Sequence, residues 1–136
     1  MRAGVVVVAH YRLGEELLQA LRLIVPGALG FEAVSIEPKQ PVEDMRASIA
    51  EAIDRVDQGA GVLILTDMFG GTPSNIALAF LGERRVEVVT GVNLPMLIKL
   101  ATIRNEPPLE ELAPFIKEYG QRNISLASEL LPEREG

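Results

Sequence analysis

Residues 66–75 constrain the fold most, because they join two apolar segments of different periodicity. Before them, residues 62–65 form a short run of β-branched residues and leucine, typical of a strand that is buried on both faces. After them, residues 76–81 place apolar side chains at helical spacing. The sequence therefore predicts a strand-turn-helix unit with its turn in residues 66–75.

The turn carries its own start signals for the helix. Gly70 and Gly71 allow the backbone to turn tightly. Thr72 is suited to cap the helix, and Pro73 suits the first helical position, where its missing N–H costs nothing. The helix is therefore expected to begin at about Pro73. Its unpaired N–H groups and the positive end of its dipole would face the space beside Gly71 and Thr72, an arrangement suited to an anion such as phosphate.

The rest of the chain alternates strand and helix patterns. Strands are predicted at residues 3–9, 33–36, 62–65 and 86–90. Helices are predicted at residues 13–25, 42–56, 73–81, 94–103 and 109–119. This alternation is typical of a parallel three-layer α/β sheet, here in one domain covering residues 1–136. In residues 123–131 apolar residues alternate with serines, which predicts a further strand at the edge of the sheet.

Composition narrows the class of protein. The chain has 136 residues, enough to bury one substantial core, and its net charge of -6 argues against nucleic acid as the main partner. It has no cysteine and 1 histidine, which excludes thiol chemistry and the usual multi-histidine metal sites. Its apolar runs are too short for a secretory signal or a membrane span. We expect a soluble, cytoplasmic protein without direct membrane insertion.

His10 and Asp67 stand at the ends of predicted strands. His10 ends the apolar run of residues 5–9, and Asp67 follows residues 62–65. In an open parallel sheet, ligands bind in the crevice along the carboxyl ends of the strands. If the first and third strands are neighbours, these two side chains meet.

An imidazole beside a carboxylate suits nucleophilic group transfer. Near neutral pH a ring nitrogen offers a lone pair, and Asp67 would accept the N–H of the other nitrogen and so fix the tautomer. The N–H groups around Gly70 and Gly71, with the Thr72 hydroxyl, would hold phosphoryl oxygens. The sequence has no GxxxxGK[ST] loop and no acidic metal-binding cluster, which argues against ATP with magnesium as the donor. His10 is therefore predicted to accept a phosphoryl group without any cofactor.

These segments resemble a known family. The opening strand that ends in His10, the segment LTDMFGGTPSN at residues 65–75 and the turn GVNLPML at residues 91–97 are similar to the mannose-family EIIA domain of the bacterial phosphoenolpyruvate-dependent sugar phosphotransferase system. The resemblance implies a phosphotransferase with a phosphohistidine at His10, Asp67 as its hydrogen-bond partner and Thr72 at the phosphate. It implies phospho-HPr as the donor and an EIIB domain as the acceptor. It also implies a four-stranded parallel sheet in order 2-1-3-4 and a homodimer, with residues 123–131 as an antiparallel edge strand.

The surroundings of His10 leave some roles open. Tyr11 and Arg12 follow His10, whereas members of this family commonly have glycine directly after the histidine, which puts the fit to partner proteins in question. The candidates for an exposed rim that contacts those partners are Arg12, Met68, Phe69 and Met96. An exposed apolar rim would suit protein docking, although the apolar members also suit the core. His10, Asp67 and the two glycines also have purely structural explanations, as a surface residue, a turn cap and turn formers.

Two further functions are compatible with the sequence. One is the phosphocarrier domain that serves dihydroxyacetone kinase, which shares the fold and the strand-end histidine. The other is a regulatory module whose phosphorylation state changes its binding to a transcriptional or metabolic partner. Genomic neighbours or transfer to that kinase would decide on the first function, and labelling without a complete set of membrane transporter genes nearby would favour the second.

Overall fold

Strands and helices alternate along the chain, as the apolar patterning predicts. The computed structural model describes residues 1–132. The elements are β1 (Gly4–His10), α1 (Leu13–Ile24), β2 (Phe31–Ile36), α2 (Val42–Val56), β3 (Val62–Thr66), α3 (Thr72–Leu78), β4 (Val86–Thr90), α4 (Leu94–Thr102), α5 (Leu109–Arg122) and α6 (Ala127–Leu130).

The four strands form one parallel sheet in the order β2-β1-β3-β4. This confirms the fold class and the strand order that the family resemblance implies. β1 and β3 are neighbours, with Val8 opposite Thr66. β1 runs beyond that pair to His10, and Asp67 directly follows β3. The register therefore brings both polar residues to the carboxyl edge of the sheet.

β1 packs alternate valines against the two faces of the sheet. Val5 and Val7 lie in the core that α1, α4 and α5 cover, whereas Val6 and Val8 lie in the core covered by α2 and α3. Val5 is 3% exposed and the other three are 0% exposed. Full burial of a valine side chain stabilises a fold by about 1.5–3 kcal/mol relative to exposure. The uninterrupted apolar run is thus explained by helices on both faces, and the three-layer prediction is confirmed.

The helices around the sheet are amphipathic. In α2 the buried side chains include Met45, Ile49, Ile53 and Val56, which follow one another at intervals of three or four residues. With 15 residues, α2 is too short to cross a bilayer. In the part of the chain that the structure describes, no helix combines the length and the apolar character that a membrane span requires.

The end of α3 differs from the prediction. The helix was expected to continue to Leu81, but it ends at Leu78. Beyond it the backbone forms tighter turns, in which the Phe80 N–H donates to the Ala77 carbonyl and the Leu81 N–H to the Leu78 carbonyl. Phe80 is still buried, with 2% exposed. Apolar spacing extends past the helix because such turns also carry a side chain back to the core.

The prediction of an edge strand in residues 123–131 is wrong for the chain as described. The segment does not pair with the sheet, and its one regular element is the helical turn α6. The Glu129 N–H donates to the Leu126 carbonyl, a local bond in place of a ladder bond. A strand needs a neighbouring strand to satisfy its backbone, and alternation of serine with leucine does not supply one. Ile124 and Leu126 are consequently 76% and 63% exposed.

Candidate functional site

His10 and Asp67 form a hydrogen-bonded pair at the carboxyl edge of the sheet. His10 Nδ1 lies 2.7 Å from Asp67 Oδ2, and the same oxygen accepts the backbone N–H of His10 at 3.0 Å. The other oxygen, Asp67 Oδ1, accepts the backbone N–H of Met68 at 3.0 Å. The carboxylate is therefore fixed at both oxygens, and it holds the ring and the backbone of His10 together. The structure thus brings together the two residues that the sequence singles out.

The electrostatics of the pair favour an ionised carboxylate. Burial raises the pKa of Asp67, but the hydrogen bonds from the His10 backbone and ring outweigh it and leave that pKa below its ordinary value. An ionised carboxylate only accepts hydrogen bonds, so His10 Nδ1 must carry the proton that it donates. Because Nδ1 carries the proton, the lone pair of neutral His10 lies on Nε2. The imidazole side chain is 43% exposed, whereas the carboxylate side chain is 11% exposed.

Gly71 lies against the ring of His10. A Cβ atom at position 71 would stand 2.9 Å from His10 Cε1 and 3.4 Å from His10 Nε2. The first distance is shorter than a side-chain carbon tolerates, so only glycine leaves the ring in its present place. The preceding Gly70 has φ +88°, a conformation that also favours glycine. Both glycines are thus required by geometry, one by backbone conformation and the other by the ring.

The first turn of α3 is organised differently from the prediction. The helix begins at Thr72 with Gly71 as its N-cap, so the Thr72 side chain does not cap it. The buried Ser74 takes part instead, because its Oγ accepts the Gly70 N–H at 3.1 Å and donates to the Gly71 carbonyl at 3.4 Å. The Gly70 N–H is therefore occupied in this conformation. The N–H groups of Gly71 and Thr72 precede the first helical bond, which the Asn75 N–H donates to the Gly71 carbonyl.

Ser74 is the residue at this turn that the sequence reasoning missed. It is 0% exposed although it is polar. A serine just inside a helix that starts after two glycines is a usable signal, because its hydroxyl reaches backbone groups of the preceding turn. The glycine pair, Thr72 and Pro73 predict a turn, a cap and a helix start, and they assign no role to Ser74.

Of the four residues proposed for the exposed rim, three are exposed and one is buried. Met68 and Phe69 are 53% and 72% exposed, next to Asp67. Arg12 is exposed and its guanidinium lies 3.5 Å from Glu15 and 4.0 Å from Glu16. Met96 is 2% exposed and lies in the core of the α1, α4 and α5 face, so it is not part of an exposed rim. Asn93 accepts the Met96 N–H at the start of α4 and the helix directs the side chain inward.

The fold and the site together define a parallel α/β domain with one carboxylate-oriented imidazole at the carboxyl edge of its sheet. Within residues 1–132, no group of three or more His, Cys, Asp or Glu side chains is placed to hold a metal ion. The chain belongs to the EIIA-man family, described as "PTS system fructose IIA component", which matches residues 4–117. It is thus a component of the sugar phosphotransferase system (PTS), whose EIIA components are phosphotransferases.

Individual relatives agree with the family. The chain is 31% identical over 100 residues to the PTS system fructose-specific EIIA component of Bacillus subtilis, an alignment that covers 73% of this chain and 68% of that protein. It is 26% identical to the PTS system mannose-specific EIIAB component of Escherichia coli over 91% of this chain and 39% of that protein. The solved mannose/sorbose specific IIA subunit of Enterococcus faecalis superposes with a TM-score of 0.87 at 29% identity, covering 99% of this chain and 100% of that one.

Proposed function

We propose that this chain is a phosphocarrier in which His10 accepts a phosphoryl group from phospho-HPr and passes it to an EIIB domain. The observation that carries the proposal is the 2.7 Å contact between His10 Nδ1 and Asp67 Oδ2. With this contact the proton of the neutral ring stays on Nδ1, and Nε2 is free to act as the nucleophile. Membership of the EIIA-man family supports the phosphocarrier role.

The proposed transfer exchanges one phosphorus–nitrogen bond for another. The Nε2 lone pair of His10 attacks the phosphorus of the donor phosphohistidine in line with the bond that breaks. The electron pair of that bond stays on the donor imidazole, which leaves as a neutral ring. The phosphorylated ring of His10 gains positive character, which the ionised Asp67 stabilises through the Nδ1 proton. In the second half-reaction a histidine or cysteine of the acceptor attacks the same phosphorus.

The turn before α3 is proposed to hold the phosphoryl oxygens. The N–H groups of Gly71 and Thr72 and the Thr72 hydroxyl supply donors beside the ring, and Gly71 leaves space for the group. Gly70 contributes differently, because its N–H already donates to Ser74 Oγ. Its positive φ shapes the turn that presents the neighbouring N–H groups. All of these donors belong to the protein, so the proposed transfer uses no cofactor.

The proposed donor and acceptor are proteins of the phosphotransferase system. The Escherichia coli relative is named an EIIAB component, and this chain matches 39% of its length. That name couples an EIIA to an EIIB unit and supports an EIIB domain as the acceptor. Because the phosphoryl group originates in phosphoenolpyruvate, a cytosolic metabolite, we place the transfer in the cytoplasm.

We also propose that two copies of the chain associate. The apolar side chains of the C-terminal segment are exposed in the single chain: Ile124, Leu126, Leu130 and Leu131 are 76%, 63%, 70% and 60% exposed. Beside Ile124 lies a cavity of about 380 Å³ that residues of β4 and α5 help to line. A cluster of exposed apolar side chains next to a groove is typical of an interface between subunits.

The phosphocarrier role is tested with radiolabelled phosphoenolpyruvate, enzyme I and HPr. The protein should acquire one label that is lost in acid and kept in alkali, as a phosphohistidine is. His10→Ala should acquire none, and its circular dichroism spectrum should match that of the unchanged protein. A label that persists in His10→Ala rejects the assignment. Chase of the label into EIIB, rather than into a dihydroxyacetone kinase subunit, tests the acceptor.

A further inference from the structure

Tyr11 adopts a backbone conformation that is unfavourable for a tyrosine. It follows His10 directly and has φ +49°, in the left-handed region where a Cβ atom crowds the following carbonyl oxygen. Its backbone N–H donates to the Ile36 carbonyl at 2.8 Å, which ties the end of β1 to the end of β2. A glycine would form the same bond and adopt the same φ without crowding. The turn therefore requires the conformation but not the tyrosine side chain.

The side chain of Tyr11 is largely in solvent. It is 59% exposed, so it contributes less to the cores than the buried residues of β1. Tyr11 follows His10 as Met68 follows Asp67, and Met68 and Phe69 are exposed as well. Large apolar side chains thus flank the reactive pair on both loops. Exposed aromatic side chains beside a reactive group are typical of surfaces that contact another protein.

We infer that Tyr11 is a specificity-determining residue that contacts the protein donor when it delivers the phosphoryl group to His10; this inference rests on the proposed function. In-line transfer brings the donor's phosphohistidine within bonding distance of Nε2, so the donor surface must meet the side chains that flank the ring. The contact expected here is an apolar surface around the donor's own histidine. A small phosphoryl donor has no such surface and would make no use of Tyr11.

The test separates contact with the donor from positioning of His10. Tyr11→Asn removes the aromatic ring but keeps a residue that tolerates positive φ, and Tyr11→Phe keeps the ring. Leu29→Asn is the matched control, because Leu29 is 85% exposed but lies in the loop before β2, at the opposite edge of the sheet. Each variant is phosphorylated either by phospho-HPr or by phosphoramidate, and the initial rates are measured over a range of donor concentrations.

We expect Tyr11→Asn to raise the KM for phospho-HPr by about tenfold and to change kcat by less than about twofold, since buried aromatic contacts dominate protein interfaces. Tyr11→Phe and Leu29→Asn should retain the original KM. With phosphoramidate all of the variants should react at the original rate. An unchanged KM in Tyr11→Asn, or an equal loss with both donors, overturns the inference.

Failure of the proposed function gives a different result. If His10 is not the phosphoryl acceptor, either phospho-HPr does not label the unchanged protein or the label persists in His10→Ala. If only the inference about Tyr11 fails, the unchanged protein is labelled and Tyr11→Asn is labelled equally well at every donor concentration. The same set of reactions therefore tells the two failures apart.

Discussion

The side chain of Asp67 acts on both the ring and the backbone of His10. One oxygen accepts hydrogen bonds from Nδ1–H and the backbone N–H of His10, and the other accepts one from the backbone N–H of Met68. Because these hydrogen bonds form best with an ionised carboxylate, they leave the pKa of Asp67 below its ordinary value despite the opposing effect of burial. Ionisation of this group is therefore linked to the stability of the fold.

The first prediction concerns the stability that Asp67 contributes at different pH values. Since its pKa is lower in the folded chain than in the unfolded chain, its contribution is fully present above about pH 5 and is lost as the pH falls through the folded value. We expect Asp67→Asn to lower the free energy of unfolding by about 1–2 kcal/mol at pH 6 and by much less at about pH 3. Urea denaturation at both pH values measures the difference. Glu51→Gln, on the exposed face of α2, controls for the loss of one charge.

The second prediction concerns the space that Gly71 leaves for the ring. In Gly71→Ala the new Cβ would lie 2.9 Å from His10 Cε1, so the ring must move. Displacement of a reacting atom by about 1 Å costs up to about 100-fold in rate, and we expect phosphorylation of His10 by phospho-HPr to slow by about 10- to 100-fold. Gly82→Ala is the matched control, because a Cβ there meets nothing within 4 Å. Equal rates for the two variants would contradict the close approach of Gly71 to the ring.

At the scale of single residues, the sequence revealed the chemistry better than the conformation. The pairing of His10 with Asp67 could be predicted because each ends a buried strand and the strands are parallel. The left-handed φ of Tyr11 and the bonds of Ser74 could not, because they depend on local dihedral angles that apolar periodicity does not encode. The sequence left Met96 open between the rim and the core although it placed the start of α4 at Leu94, because the face of a helix that packs against its neighbours depends on tertiary contacts.

At the scale of elements, the start of α3 depends on Ser74. Its hydroxyl accepts the Gly70 N–H and donates to the Gly71 carbonyl, which closes the turn that is proposed to hold the phosphoryl oxygens. A helix of 7 residues contributes little stability of its own, so the bonds at its first turn count for more.

The third prediction follows from that turn. Ser74→Ala removes a buried hydroxyl and leaves the Gly70 N–H without its acceptor, so we expect the free energy of unfolding to fall by about 1–2 kcal/mol. Ser128→Ala, on the exposed α6, should change it by less than about 0.5 kcal/mol. Denaturant titration of both variants measures the two changes. Phosphorylation by phospho-HPr should also slow in Ser74→Ala alone, whereas a loss of stability with normal kinetics would limit Ser74 to folding.

Element types were predicted well from the sequence where an element has a core face. α2 has the predicted bounds of residues 42–56, because buried side chains recur along its whole length. The end of α3 and residues 123–131 were predicted incorrectly. In the first case tighter turns keep the apolar spacing, and in the second exposed leucines mimic a strand without a partner strand.

At the scale of the whole molecule, one parallel sheet separates two apolar cores. The alternation of strand and helix patterns predicted this architecture, since parallel strands need helical crossovers. The strand order came from the resemblance to the EIIA family. Association between copies depends on surfaces outside both cores, and patterning within one chain does not show it.

The fourth prediction concerns association. If the apolar side chains of the C-terminal segment are covered by a second copy, the protein should sediment as a dimer at micromolar concentration. Leu126→Asp places a charge on a side chain that is 63% exposed in the single chain, so it should shift the protein to a monomer while its circular dichroism spectrum stays unchanged. Leu23→Asp, on α1 at 83% exposure, should leave the dimer intact. A monomer of the unchanged protein in analytical ultracentrifugation would contradict the proposal.

The central claim is that Asp67 holds the Nδ1 proton of His10 and directs Nε2 outward as the phosphoryl acceptor. The most direct measurement is a nuclear magnetic resonance spectrum of the ¹⁵N-labelled ring after phosphorylation by phospho-HPr. We predict that the ³¹P coupling appears on Nε2 and that Nδ1 keeps its proton. A phosphoryl group on Nδ1, or an unmodified His10 in a phosphorylated protein, would contradict the claim.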